Sequence, residues 1–259
     1  MTIQSMASNA MSPAMTRLAS GNRINSAADD AAGLAVVENM TSQIRGLDQG
    51  TRNTMDMQSL ISTAEGGLDG INDSLGRIRE LSVQASNGTL SAANREMIQA
   101  EISQLAEGIG ATVNGTQFNG MNLLDGSGAG GLNTASGADG TGATVVINDM
   151  SSLAQAITTF NVTGEFNIND IDAMIAEVTG ERANLGAMEN RMDFTMNANM
   201  TSSINMSESR SRVGDADMAQ EMMNLNQERA IAEVQMLMQQ QAQAQREQES
   251  QIIAGITGA

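Results

Sequence analysis

The chain has 259 residues, with 21 Met, 4 Phe, no Trp, Tyr, His or Cys, and a formal net charge of −17 in which every cation is Arg. So acidic a chain is repelled by phosphate backbones and anionic bilayers, which excludes nucleic acid and membrane as partners, and 2% aromatic residues argue against a thick globular core. Without Cys there are no disulfides or zinc–thiolate sites, and without His the commonest general base and metal ligand are gone, so packing or assembly must stabilise the fold and an enzyme is not expected.

Residues 1–22 carry Ile3, Met6, Ala10, Met15 and Leu18 at loosely helical spacing, interrupted by Pro13. A continuous helix across Pro13 would lose about 3 kcal/mol, so the better reading has Ser12 as N-cap, Pro13 at the first helical position and a short helix ending before Gly21. The string MTIQSMASNAMSPAM lacks a basic region followed by an apolar run, so no cleavable secretory signal is read, and no apolar run is long enough to span a bilayer. Residues 23–35 lead into the next helix, with Asp29 and Asp30 placed to favour the positive end of its dipole. Spacing alone leaves a charged helix start or a metal or acid–base pair open for these two acids.

From Val37 to Ala85 the pattern predicts one long helix, roughly 70 Å at 1.5 Å per residue. Val37, Met40, Ile44, Leu47, Thr51, Thr54, Met57, Ile61, Ala64, Leu68, Ile71, Leu75, Ile78, Ser82 and Ala85 form a heptad seam. Its alternation of threes and fours slips once, at Thr54–Met57. Such a helix cannot bury its seam alone, so the rest of the chain must supply partners. After a turn at Asn87–Gly88, Ser91 caps a second helix with seam Ile98, Ile102, Leu105 and Ile109, folding back on the first; Gly108 and Gly110 should fray its end.

Residues 126–143 have the composition of a flexible linker. Thr144–Asn148 reads as a strand with only a weak first arm near Leu132. A third long helix is expected from Ile168 to Val213, with Ile171, Ile175, Val178, Leu185, Met188, Met192, Met196 and Met200 near one stripe that drifts from a strict heptad. The final helix places Met223, Ala230, Leu237 and Ala244 seven apart with Val234 between, a seam for assembly. The acid pairs Glu80/Glu101 and Asp215/Asp217 are expected on solvated helical faces.

Arg17-Leu18-Ala19-Ser20-Gly21 followed by RINSAADDAAGLA at 23–35 resembles the signature of bacterial flagellin. So do residues 43–47 (QIRGL), 77–84 (RIRELSVQ), 116–120 (TQFNG), 181–191 (ERANLGAMENR) and 209–219 (SRSRVGDADMA), in the family's order. The resemblance implies a mainly α, elongated helical bundle or coiled-coil rod with a small β-hairpin, whose terminal arms form a coiled coil on assembly. It divides the chain into an N-terminal arm and spoke (1–30), N-terminal rod helices (31–125), a glycine-rich linker and hairpin remnant (126–166), a C-terminal rod helix (167–214) and a C-terminal coiled-coil arm (215–259), with the variable outer domain missing.

What it implies of function is a secreted, cofactor-free structural subunit of the flagellar filament, a homopolymer for motility, exported through the type III pathway with an export chaperone and a filament cap as partners. The alternatives are a hook–filament junction protein, a flagellin-like ligand or decoy of an innate immune Toll-like receptor, or an artificial or degenerate flagellin. The receptor contacts carried over are Arg77, Leu81 and Glu101. The first arm is shorter than is usual in the family, which leads to the expectation of poor or fragile filaments, improved by Pro13→Ala.

Overall fold

The computed structural model describes residues 13–128 and 130–257, the side chains of 252–257 excepted. Helix α1 occupies residues 13–20, followed by α2 (Ala31–Ala85), α3 (Ala92–Gly115), the strands β1 (Gln117–Phe118), β2 (Met121–Asn122), β3 (Leu132–Ala135) and β4 (Gly142–Val145), then α4 (Ser151–Thr158), α5 (Ile168–Gly214) and α6 (Met218–Thr257). β1 pairs with β2 and β3 with β4, both antiparallel. The proposed cap at Ser12, and Ile3, Met6 and Ala10, lie outside the described residues. No described helix is long and apolar enough to cross a membrane. Two compact units are present, one of residues up to Ser42 with those from Asn205 on, the other Gln43–Ile204; their boundaries fall inside the continuous helices α2 and α5.

In the larger unit the core is the seam of α2. Its buried row runs Leu47, Gly50, Thr54, Met57, Ile61, Ala64, Leu68, Ile71, Leu75, Ile78, Ser82 and Ala85, joined by Leu60 and Leu81. The steps alternate three and four throughout. The slip expected at Thr54–Met57 is therefore absent: Gly50 holds the place assigned to Thr51, which is half-buried and turns its hydroxyl back to the Leu47 carbonyl at 2.9 Å. Continued through the half-buried Ile44, Met40 and Val37, the doubled step of three falls at Leu47, one heptad earlier. A glycine has no side chain to mark it as a seam position, and only a backbone packed against it does so.

α3 is capped by Ser91, whose Oγ accepts from Asn94 N at 3.3 Å, and buries Ile98, Ile102, Ala106, Ile109 and Val113. Its end does not fray as expected. Ile109 and Val113 are each 1% exposed and hold the last turns on the core beyond Gly108, enough burial to outweigh the ~1 kcal/mol each glycine costs. Leu105, expected in the seam, is only half-buried.

α5 buries Ile171, Val178, Leu185, Met192 and Asn199, each seven residues after the last. The expected stripe holds in these apolar members and in Ile175, Met188 and Met196, which are half-buried, whereas Met200 is exposed and Asn199 takes the next heptad position. α5 lies antiparallel to α2, with Arg79 Nε on Asp172 Oδ1 (2.5 Å), Arg182 Nη1 on Asp69 Oδ1 (2.9 Å), Gln58 Nε2 donating to Asp193 Oδ1 (2.9 Å) and Ser203 Oγ to Asp48 Oδ1 (2.9 Å). α4 packs on α3 with Leu153 and Ile157 buried. The Gln99 side chain fixes the following segment, donating to the Phe160 carbonyl (3.0 Å) and accepting from Val162 N (2.8 Å).

The glycine-rich stretch is a docked hairpin over 132–145, so the weak arm near Leu132 does pair, and the second strand is Gly142–Val145, starting two residues before the expected Thr144 and ending three before the expected Asn148. Its tip lies on α2, where a Cβ on Gly50 would stand 2.1 Å from the Ser136 carbonyl oxygen and one on Gly46 2.8 Å from that of Ala138. Asn53 Nδ2 donates to the Ala135 carbonyl (2.8 Å) and Asn199 Nδ2 to that of Ser136 (2.7 Å). β1 and β2 are joined by Asn119 (φ 49°) and Gly120 (φ 78°), the turn that the Asn-Gly pair of TQFNG favours because both residues tolerate the left-handed region.

Candidate assembly interface

In the smaller unit, the motif residues of the two chain ends meet. Gly21, in the left-handed region (φ 72°), closes α1 with its N–H on the Arg17 carbonyl at 2.8 Å, as helix C-caps commonly do. Residues 21–23 then pair with 214–216: Arg23 N donates to the Gly214 carbonyl (2.7 Å), Ala216 N to that of Gly21 (2.8 Å), and Arg23 Nη2 to that of Val213 (2.7 Å). Gly214 is the close-approach point, since a Cβ there would sit 3.1 Å from Val37 Cγ2. The two acids of the RINSAADDAAGLA string have different structural tasks. Asp30 caps α2, its Oδ1 accepting from Gly33 N (2.9 Å) and its carbonyl from Leu34 N (2.9 Å). Asp29 Oδ2 gathers the Ser26 hydroxyl, Ser26 N and Asn25 N at 2.9–3.2 Å, and those hydrogen bonds, the Ser26 hydroxyl first, hold its carboxyl below the usual value.

α6 starts at a second acid of this kind. Asp217 Oδ1 accepts from Ala219 N (2.9 Å) and Gln220 N (3.1 Å), and Asp215 takes the Ser211 hydroxyl at 2.5 Å. The first turns are anchored by Leu225 (3% exposed) and Glu221 (9% exposed), the latter 3.6 Å from Arg17 Nη1. The sequence-derived seam lies elsewhere. Met223, Val234 and Leu237 are 58%, 58% and 56% exposed, and Ala230 and Ala244 are exposed too. At 3.6 residues per turn these five fall on one stripe, on the side of α6 opposite Leu225 and Glu221. Met238, 66% exposed, joins them. An apolar heptad stripe at that level of exposure is a face that soluble monomers do not keep uncovered.

The residues carried over for receptor contact separate into two groups. Arg77 and Glu101 come together across α2 and α3, Nη2 to Oε1 at 2.8 Å, with Glu80 Oε2 3.0 Å from Nη1, all about half exposed or more. Leu81 does not join them: it is 2% exposed, inside the core. It precedes Ser82 in the α2 seam, where both positions turn inward, a placement that a seam read as single positions assigned to Ser82 alone. Two features had no signal in the pattern of apolar residues. One is the hairpin-tip clamp at Gly50 and Asn199. The other is Glu181, 2% exposed, whose two carboxylate oxygens take Asn148 N (3.0 Å) and Asn148 Nδ2 (2.6 Å).

Comparison with known proteins places these features in one family. The family model of the bacterial flagellin N-terminal helical region matches residues 1–129, and that of the C-terminal helical region matches 168–251. A flagellin of Halalkalibacterium halodurans is 40% identical over 224 residues, covering 83% of this chain and 81% of its own. The crystal structure of Bacillus cereus flagellin is 32% identical with a TM-score of 0.51, covering 57% of this chain and 88% of its own. A putative flagellar hook-associated protein from Vibrio parahaemolyticus shares the fold (TM-score 0.57, over 72% of this chain and all of its own) at 17% identity. With both helical regions matched and this degree of identity across most of its length, the chain belongs to the bacterial flagellin family, the exported structural subunits that polymerise into the filament of the flagellum.

Proposed function

We propose that polymerisation proceeds by burial of the α6 stripe, with Met223, Ala230, Val234, Leu237 and Ala244 packing against neighbouring subunits as an inner coiled-coil layer. The observation that carries this reading is the exposure of the stripe on the side of α6 opposite its own anchoring residues. An open, repeating contact of this kind generates a filament rather than a closed ring. Before assembly the same stripe is what an export chaperone would cover, and growth takes place beneath a filament cap. The test is seeded sedimentation of Leu237→Asp: a charge on a buried seam should abolish pelleting, and normal pelleting would refute the reading.

A second reading concerns the exposed Arg77–Glu101 strip, as a contact for an innate immune Toll-like receptor. Arg77→Ala should weaken signalling by monomer while helicity is unchanged, since a hot-spot Arg can contribute 2 kcal/mol or more. Signalling unchanged by Arg77→Ala would refute it. Leu81 is not a contact in this reading, because it is inside the core.

A further inference from the structure

We infer that Phe194 of one subunit seats in a cleft on the α2 flank of the next, beside a pairing of Arg191 with Asp56. The inference rests on the filament reading and adds a specific lateral contact to it. Phe194 is 77% exposed, whereas Phe160 is 9% exposed and Phe118 and Phe166 are packed against the core. It lies two residues after Met192 and five before Asn199, both buried, so at 100° per residue it projects from the side of α5 facing away from the core. An aromatic ring held this far into water adds nothing to the fold of its own chain.

A matching recess lies in the same unit. A cleft of about 360 Å³ has Met57 and Leu60 of α2 and Phe118 and Met121 of the β1–β2 hairpin on its apolar side, strand β3 and asparagine side chains on its polar side, and Asp56 among its lining residues. That volume is at the lower end of the roughly 300–1,000 Å³ of small-ligand pockets, room for one aromatic side chain. Phe118 and Met121 offer it ring-edge and thioether contacts. Knob and recess are level with each other, because Gln58 of α2 hydrogen-bonds Asp193 of α5 at 2.9 Å. A lateral neighbour only slightly stepped along the axis can therefore offer its Phe194 to this cleft.

Charge supports the match. Arg191 stands one turn before Phe194, and Asp56 flanks the recess; both are exposed, and neither forms an ion pair among the described residues. Seating Phe194 brings the free cation to the free carboxylate. Because the knob and the cleft are different surfaces of one unit, the contact is heterologous, and it repeats into a filament when successive neighbours are stepped along the axis so that the rotation does not close.

The test is the critical concentration of the full chain in seeded polymerisation, read by sedimentation, with far-UV circular dichroism to verify that each variant is folded. F194A should raise it roughly tenfold or more. D56R and R191D should each raise it, and D56R/R191D together should return it to within about threefold of the parent. A parent that polymerises while F194A polymerises equally well, or a double variant no better than the worse single, overturns this contact and leaves the filament reading intact. A parent that does not pellet with seeds overturns both.

Discussion

Gly50 and Gly70 sit on the same helix, yet replacing each by Ala should change stability in opposite directions. A Cβ on Gly70 meets nothing within 4 Å, so Gly70→Ala gains helix propensity, up to about 1 kcal/mol. A Cβ on Gly50 would lie 2.1 Å from the Ser136 carbonyl oxygen, so the hairpin tip must lift by at least about 1.3 Å to reach ordinary contact at 3.4 Å, a distortion of the overpacking kind costing about 1–3 kcal/mol. Lifting Ser136 also breaks its 2.7 Å hydrogen bond from Asn199, whose side chain is buried at 9% exposure; an unpartnered amide there costs a further ~1–3 kcal/mol. Set against the same propensity gain of about 1 kcal/mol, Gly50→Ala should lose ~1–5 kcal/mol net. Thermal unfolding of the monomer measures both, at about 2–4 °C per kcal/mol for a chain of this size. A Gly50→Ala protein as stable as the parent would refute the docking of the hairpin backbone on α2.

Leu81→Ala should destabilise the monomer by about 2–5 kcal/mol in urea unfolding, the cost of a cavity in the core, so any loss of receptor signalling it causes tracks unfolding. Asn148→Ala, which removes the side-chain donor from the buried Glu181 carboxylate, should cost about 1.5–3 kcal/mol in the same assay. Asp29 has a folded-state pKa below its ordinary 3.8, so its contribution is complete above that value and is lost as pH falls through the lower folded value. Carboxyl-carbon NMR should therefore place its midpoint below 3.8, and Ser26→Ala should move it upward. Ser91→Ala should cost about 0.5–1 kcal/mol, the low end for an N-cap, because the 3.3 Å hydrogen bond to Asn94 N is long.

The long helices were legible because apolar side chains mark a heptad directly: the α2 seam from Met57 to Ala85 and the span of α5 follow from residue type and spacing, whereas the eight-residue α4 is too short to show a repeat. What stayed hidden depends on backbone. Gly50 is a seam residue only because the Ser136 backbone covers it, and this displaced the expected slip by one heptad. The hairpin over 132–145 buries Ala143 and Val145 in the core, but its tip is held by main-chain pairing and by the amides of Asn53 and Asn199, so its Gly, Ser, Thr and Asp read as a linker. Asn199 itself completes the α5 heptad as a polar residue, where the eye follows Met196 and Met200 instead. The apolar stripe of α6 was readable for the reason the α2 seam was, yet nothing in the pattern separates a seam buried within the chain from one left exposed.

That distinction is what the central claim rests on, and the absence of cysteine allows it to be measured with one introduced thiol. Leu237→Cys places a probe on the stripe, at a position 56% exposed in the chain. The thiol should react fully with a maleimide in the soluble subunit and be protected in sedimented filaments. Equal labelling in subunit and filament would contradict assembly through this face.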